Sequence, residues 1–191
     1  MKAMQIVSFD GPASGLRYQE APTPEPGPGE IAVDVDHAGV GYVEALFTEG
    51  LVPIDLPWTP GLEVSGRVRA LGDGVDDYRV GDAVVALTIT GGGGYGQVAV
   101  APAELVVPLP AGLDPILAAA VPANSTTALV ALEEIAHLRR GESVLVHAAA
   151  GGLGSQMGQV ARLLGAGRVV GVTRSEAKRQ EILDLGYDEA W

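Results

Sequence analysis

A glycine-rich turn holds the residues of this chain whose types and spacing best suit phosphate binding. The turn follows an apolar run over 143–147 and precedes a predicted helix over 155–164. Ala149, Gly151 and Gly154 have the spacing of the dinucleotide-binding fingerprint, with alanine in place of the first glycine. Small residues let the backbone approach a pyrophosphate, and a helix N-terminus supplies unpaired N–H groups and positive potential. The predicted pyrophosphate-binding residues are Ala149, Gly151, Gly152, Leu153 and Gly154. The alternative is a tight connection that binds no ligand.

The end of the next apolar run, over 168–173, decides which dinucleotide would bind. An acidic residue at this point holds the ribose 2′-hydroxyl of NAD, whereas a basic residue favours the 2′-phosphate of NADP. No carboxylate occupies this strand end. Thr173, Arg174 and Ser175 can donate hydrogen bonds to phosphate oxygens, and Lys178 lies one helical turn after Arg174. The sequence therefore predicts NADP(H) as the cofactor, and the alternative is that both cations are ordinary solvated surface charges.

The pattern of secondary-structure signals in the sequence changes near Pro122. Up to residue 109, short β-branched runs alternate with clusters of Gly, Pro and Asp, which is typical of a compact β-rich barrel with period-two strands. After Pro122 the pattern becomes helix, strand, helix, strand, helix, as in one βαβα half of a doubly wound sheet. We therefore predict a catalytic or substrate domain over 1–122 and a partial dinucleotide-binding domain over 123–191.

The second part contains predicted elements with defined bounds. Helices are expected over 126–137 and 155–164, and strands over 143–147 and 168–173. The first helix carries Leu129, Leu132, Ile135 and Ala136 on one face. Gly165 and Gly186 mark helix ends, and a last helix begins near Ser175, which is its predicted cap. His147, at the end of a strand, is expected to be buried and hydrogen-bonded.

Composition excludes several classes of function. The 191 residues have a formal net charge of −12, which disfavours nucleic acid and anionic membrane surfaces as partners. The chain has no cysteine, so disulfides and thiolate metal sites are excluded. The first seven residues do not resemble a signal peptide, and no run reaches the ~20 apolar residues of a membrane span. We expect a cytoplasmic protein.

Five short motifs, in this order along the chain, carry a family resemblance that runs from residue 1 to residue 191. They are Thr59 to Gly66, Val80 to Val84, Gly92 to Gly96, Thr127 to Leu129, and Ala148 to Gly154. The chain resembles the zinc-free quinone oxidoreductase and enoyl reductase branch of the medium-chain dehydrogenase/reductase superfamily. The resemblance implies an α/β fold with a β-rich domain: a GroES-like β-barrel N-terminal domain followed by an incomplete Rossmann βαβα unit. It also implies an active site in the cleft between the two domains.

The resemblance bears on metal use and on the catalytic residues. Zinc-dependent relatives carry Gly-His-Glu where this chain has Gly61, Leu62 and Glu63, and they also use a catalytic cysteine, so no zinc is expected. Tyr42 aligns with a proton donor of some enoyl reductases, and its alternative role is packing against the barrel. The family usually has Asn at the position of Gly41, so this chain lacks one side chain that serves the usual reaction of the family.

The resemblance assigns roles to two further positions. The family usually has Asp at the position of Glu44, which is a possible acid, base or positioning group but is more often structural. Relatives place a threonine like Thr127 near the cofactor phosphates or the nicotinamide. The alternative for Thr127 is an N-terminal helix cap, and the two roles can coexist.

The predicted Rossmann unit lacks its second half, since the chain ends 37 residues after Gly154. Its first strand is apolar on both faces, so an uncovered edge would invite aggregation. Three explanations stay open: an engineered or proteolysed fragment, a short protein that covers this edge by forming a homo-oligomer, and a protein whose fold is completed by a partner chain.

These observations favour an NADPH-dependent oxidoreductase. It would transfer hydride to the C=C bond of a small apolar quinone or α,β-unsaturated carbonyl substrate. One alternative is a cofactor-free protein that binds an apolar small molecule or catalyses a cyclisation or isomerisation without redox change. Another is a non-catalytic remnant that acts through protein contacts. The intact glycine turn supports the first function, whereas Gly41 and the short second part support the other two.

Overall fold

A computed structural model describes residues 1–191, which divide into two compact units. The first unit is Met1–Pro122 and the second is Ala123–Trp191. No helix in either unit is long and apolar enough to span a bilayer.

The first unit is built mainly from antiparallel strands. Five of them form a curved sheet in the order β6-β3-β4-β5-β7, and β1 and β2 form a separate hairpin. The strands are β1 (Lys2–Ile6), β2 (Leu16–Glu20), β3 (Glu30–Ala38), β4 (Glu63–Leu71), β5 (Ala83–Leu87), β6 (Val98–Pro102) and β7 (Val106–Pro108). Three short helices accompany them: α1 (Pro12–Gly15), α2 (Tyr42–Thr48) and α3 (Pro115–Ala118).

The central strands of this sheet are buried on both faces, which differs from the predicted period-two alternation. In β3 the consecutive residues Ile31, Ala32 and Val33 are all buried, and β4 begins with four buried residues. Buried Ser65 satisfies its hydroxyl by donating to the Pro115 carbonyl oxygen at 2.7 Å. The β-rich character is confirmed, and the alternation is lost because the sheet curls around its own core.

The second unit is a three-stranded parallel sheet with helices. Its strands are β8 (Ser143–His147), β9 (Arg168–Val172) and β10 (Glu189–Ala190), in the order β10-β9-β8. The helices are α4 (Pro122–Leu129), which continues as a π-helical turn over Val130–Ile135, then α5 (Gly152–Leu163) and α6 (Arg179–Asp184). The core contains Val146, Ala149, Ala161, Val169 and Ile182.

The predicted strand over 143–147 is confirmed, and β9 ends one residue earlier than expected. Gly165 and Gly186 end helices with φ of +91° each, a conformation that glycine adopts without steric cost. The short strand β10 was not predicted.

Three helix predictions are wrong in detail. The helix expected from residue 126 begins at Pro122, since proline favours the first helical turn. Its π-helical end rotates the side chains, so that Ile135 is 74% exposed and only Leu132 of the predicted apolar positions is buried. Helix α5 begins three residues early, at Gly152. Ser175 precedes a 3-10 turn, but its side chain makes no capping hydrogen bond.

Candidate functional site

The glycine-rich turn connects β8 directly to α5. Its first residue, Ala148, has a φ of +52°, a left-handed conformation that costs an alanine ~1–3 kcal/mol. The carbonyl of Ala148 accepts the N–H of Gly151 at 2.8 Å, and the carbonyl of Gly151 accepts the N–H of Ser155 at 2.8 Å. The chain thus reverses within four residues and presents the N-terminus of α5 at the C-terminal end of the sheet.

The spacing of small residues is required by close backbone contacts. A Cβ atom on Gly154 would lie 2.7 Å from the Cα atom of Ala149 and would overlap the carbonyl oxygen of Ala148. A Cβ atom on Gly152 would approach the side-chain amide of Asn124 in α4 at 3.2 Å. Only glycine therefore lets the first turn of α5 rest on the end of β8.

The first turn of α5 consists of Gly152, Leu153 and Gly154, and its N-cap residue, Gly151, makes no side-chain capping hydrogen bond. Unpaired N–H groups at a helix N-terminus carry the positive end of the helix dipole and favour anions. The turn therefore has the geometry of a phosphate-binding cradle.

A cavity of about 570 Å³ opens beside this turn. Five of the predicted cofactor residues line it, namely Gly151, Thr173, Arg174, Ser175 and Lys178. His147, Ala148, Ala150 and Val172 complete the lining. Ala149 lies behind the cavity in the core, with no exposed surface. The ends of β8 and β9 thus bring the glycine turn and both predicted cations to one cavity.

Arg174 and Lys178 are exposed and form no ion pair in the structure. By contrast, Arg162 pairs with Asp188, and Arg168 pairs with Glu189. Two cations without a carboxylate partner next to free N–H groups make the local potential positive.

The charge of the chain is divided unevenly between the two units. Met1–Pro122 contains sixteen acidic and five basic residues, whereas Ala123–Trp191 contains eight acidic and seven basic residues. The cavity beside the glycine turn therefore lies in a nearly neutral unit of an acidic protein.

The backbone after β9 is held by the end of the chain. The N–H of Thr173 donates to the carbonyl oxygen of Trp191 at 2.7 Å, and the Thr173 hydroxyl oxygen accepts the N–H of Ser175 at 3.2 Å. These bonds order the segment that carries Arg174. The Ser175 hydroxyl makes no helix cap and lies on the cavity wall.

Two predictions in this unit are wrong. Thr127 does not cap a helix, because α4 begins five residues earlier and the Thr127 hydroxyl donates to the carbonyl oxygen of Ala123 at 2.7 Å. Thr127 does not line this cavity, and its place near the cofactor stays a prediction. His147 is exposed rather than buried, because it points into the cavity at the end of β8.

Sequence reasoning missed residues that support the turn from a distance. The hydroxyl of buried Tyr187 donates to the carbonyl oxygen of Gly154 at 2.6 Å. The Asp188 carboxylate accepts the N–H of Val169 at 2.7 Å, and this bond together with the Arg162 guanidinium lowers the pKa of Asp188 below its usual value. No local spacing marks these residues, because their partners lie 19 to 33 positions away.

In the first unit, Tyr42 is the first residue of α2 and its side chain is 82% exposed. The alternative role in packing is therefore wrong, and the phenol is free to meet a ligand. Glu44 is buried and accepts the N–H of Gly41 at 3.0 Å, which caps the start of α2. Burial raises the pKa of the Glu44 carboxyl, and the N–H groups of Gly41 and Leu62 oppose this in part.

The structure has no group of three or more His, Cys, Asp or Glu residues placed to hold a metal ion.

Comparisons with known proteins bear on both units. Residues 27–111 match the alcohol dehydrogenase GroES-like domain family. Over 186 residues the chain is 37% identical to the Mus musculus synaptic vesicle membrane protein VAT-1 homolog-like, covering 96% of this chain and 44% of that protein. Over 193 residues it is 35% identical to quinone oxidoreductase of Rattus norvegicus, covering 100% of this chain and 58% of that protein. A solved mycobacterial structure complexed with NADPH has a TM-score of 0.90 at 33% identity, over 100% of this chain and 58% of that one.

The chain spans about half the length of these relatives. The matched GroES-like region and the structural similarity confirm the predicted fold class, a GroES-like β-domain followed by part of a Rossmann unit. The whole chain is thus similar to part of the quinone oxidoreductases, and residues 27–111 match the alcohol dehydrogenase GroES-like domain family.

Proposed function

We propose that this chain binds NADPH in the cavity beside the glycine turn and serves in the reduction of a small apolar quinone or α,β-unsaturated carbonyl compound. The observation that carries this proposal is one cavity lined both by Gly151, the N-cap residue of α5, and by two cations that have no ion-pair partner. The NADPH in the similar mycobacterial structure supports the choice of cofactor, and the rat quinone oxidoreductase supports the class of reaction.

The residues fit the two phosphate groups of such a ligand. The N–H groups of Gly152, Leu153 and Gly154 would hold the pyrophosphate, where the absent Cβ of Gly154 lets the backbone stay close. Arg174 and Lys178 would hold the 2′-phosphate, together with the hydroxyl groups of Thr173 and Ser175, which also line the cavity. No acidic residue lines this cavity to select the 2′-hydroxyl of NADH instead.

The chemistry needs a hydride and a proton. The nicotinamide, when bound, supplies the hydride to one carbon of the substrate double bond. The exposed phenol of Tyr42 is the proposed donor of the proton to the other carbon, since a positioned phenol is a general acid. The first unit would thus provide the substrate domain and the second unit the cofactor domain.

A titration with NADPH tests the proposal. We expect NADPH to raise the melting temperature and NADH to raise it less. The variant Arg174→Ala removes one charged contact with the 2′-phosphate, which is worth ~1.5–3 kcal/mol, so NADPH affinity should fall at least tenfold and NADH affinity should change little. Calorimetry or the fluorescence of bound NADPH gives both constants.

A matched control is Arg139→Ala, because Arg139 is exposed in the same unit, lies outside the cavity and forms no ion pair. Its NADPH affinity should equal that of the unaltered chain. The absence of any response to millimolar NADPH would overturn the redox function and favour a cofactor-free role.

A further inference from the structure

Tyr187 lies at the centre of the second unit, where it contacts elements that are distant in sequence. It follows Gly186, which ends α6, and its side chain is 4% exposed. The ring packs on two glycines that face it, Gly158 in α5 and Gly171 in β9. A Cβ atom on Gly158 would overlap the ring, and a Cβ atom on Gly171 would lie 3.1 Å from Cδ1 of Tyr187. The two glycines therefore form the slot that admits the ring.

The hydroxyl of Tyr187 reaches the first turn of α5. It donates to the carbonyl oxygen of Gly154 at 2.6 Å in a buried environment. The N–H of Gly158 faces the phenol oxygen from the next turn. One hydroxyl thus contacts the backbone at the beginning of the helix whose N–H groups form the phosphate cradle.

The backbone around Tyr187 is tied to β9. The N–H of Asp188 donates to the carbonyl oxygen of Val169 at 2.8 Å, and the Asp188 carboxylate accepts the N–H of Val169 at 2.7 Å. Arg174 follows the end of this same strand. Tyr187 therefore links the helix that would hold the pyrophosphate to the strand that leads to the 2′-phosphate site.

We propose that Tyr187 is a positioning residue that sets the distance between the phosphate cradle of α5 and the cations after β9, so that one ligand engages both. This inference rests on the proposed function for the choice of ligand. The ring keeps α5 on β9, and the hydroxyl fixes the axial position of the first helical turn. A ligand that contacts both anchors depends on this spacing, whereas a ligand that contacts only one does not.

The variant Tyr187→Phe tests this role, because it keeps the ring and removes only the hydroxyl. NADPH reaches both anchors, whereas adenosine 2′-monophosphate reaches only the cations, so NMR titrations with the two probes separate the effects. We expect the Kd of NADPH to rise about fivefold or more and that of adenosine 2′-monophosphate to stay within twofold. Equal changes for both probes, or no change for NADPH, would overturn the inference.

A control and a second measurement keep the test independent of the proposed function. Tyr78→Phe removes a similar phenol-to-carbonyl bond, from Tyr78 to Val106, in the first unit, and it should leave both affinities unchanged. In the ligand-free protein, Tyr187→Phe should speed amide hydrogen exchange at least fivefold over 155–159 and leave 160–164 unchanged. Uniform acceleration throughout the second unit would mean that Tyr187 only stabilises the fold, which rejects a positioning role. If the unaltered chain binds neither probe, the proposed function fails, and the exchange pattern still decides the role of Tyr187.

Discussion

At the scale of single residues, the structure separates side chains that serve the fold from side chains left free to react. Tyr42 is exposed at the start of α2, whereas the nearby Glu44 is buried and caps that helix. Arg174 and Lys178 form no ion pair, although three other arginines of the same unit pair with carboxylates, namely Arg162, Arg168 and Arg179. Charged and aromatic groups without protein partners are the ones available to a ligand.

Tyr42→Phe tests the proposed proton donor. General acid catalysis contributes ~10²–10⁴ to a rate, so we expect kcat for reduction of an α,β-unsaturated ketone to fall about 10²-fold. The Kd of NADPH should stay unchanged, because Tyr42 does not line the cavity beside the glycine turn. Stopped-flow absorbance at 340 nm measures the step.

Tyr18→Phe is a suitable control, since Tyr18 is another exposed phenol of the same unit, at 69%. An unchanged rate in Tyr42→Phe would assign the proton to water.

At the scale of elements, α5 depends on how closely its first turn approaches β8. Gly154 contacts the backbone of Ala148 and Ala149, and its carbonyl oxygen accepts the hydroxyl of Tyr187. Asp188 and Arg162 form an ion pair between the end of the chain and the last turn of α5. The helix is therefore held at two points along its length.

Gly154→Ala should disturb the contact between the first turn of α5 and the end of β8. Its Cβ would overlap the backbone of Ala148, so the helix must shift. Overpacking of this kind costs ~1–3 kcal/mol, and we expect a loss of that size in the free energy of unfolding, together with loss of NADPH binding. Urea denaturation measures the first effect and calorimetry the second.

The control is Gly91→Ala, because a Cβ atom there meets nothing within 4 Å and φ is not positive. That variant should keep its stability within ~0.5 kcal/mol. A stable, NADPH-binding Gly154→Ala variant would contradict the close-contact argument.

The contribution of the Arg162–Asp188 ion pair to stability should depend on pH. The pKa of Asp188 is lowered in the folded state by the Val169 N–H and by Arg162. A lowered carboxyl pKa adds stability above the unfolded pKa, near 3.8, and this stability is lost as the pH falls through the folded pKa. Asp188→Asn should therefore melt at a lower temperature than the unaltered chain at pH 7, with the difference shrinking below about pH 4.

Thermal melts from pH 2.5 to pH 8 measure this difference. Asp184→Asn, the same change at an exposed residue of α6, should show a smaller and flatter difference. A constant deficit of Asp188→Asn at every pH would exclude the charge as the cause.

At the scale of the whole molecule, the sheet of the second unit has an unpaired edge. Strand β8 pairs with β9 alone, and Leu145 on this strand is 51% exposed. An apolar edge strand is a template for pairing with another chain. We therefore expect this chain, taken alone, to self-associate through β8.

Leu145→Lys places a charge on the edge and should reduce association, as edge lysines do in natural sheets. Light scattering over a range of concentrations measures the mass. Leu163→Lys is the control, since Leu163 is 83% exposed at the end of α5, away from the strand. A monomeric unaltered chain at high concentration would contradict the expectation.

Much of the fold was predictable because its signals are local. The apolar run of β8, the glycines of the turn and the change of style at Pro122 each depend on neighbouring residues. Helix α4 begins at Pro122, before its first apolar periodic residue, and the exposure of Ile135 follows from a π-helical turn, which has no clear sequence mark. The cations after β9 were found because a strand end has a known place in such a sheet, although their binding to a cofactor stays a prediction.

The sequence by itself determined the class of the fold and the shape of the turn, since glycine spacing and apolar periodicity act over a few residues. Only the tertiary structure decided that Gly154 and Tyr187 meet, that Ala149 lies in the core, and that His147 faces the cavity. These facts depend on contacts between residues far apart in the chain. Such contacts form when helices pack on a sheet, and packing selects partners by shape and by unsatisfied hydrogen bonds rather than by position in the chain.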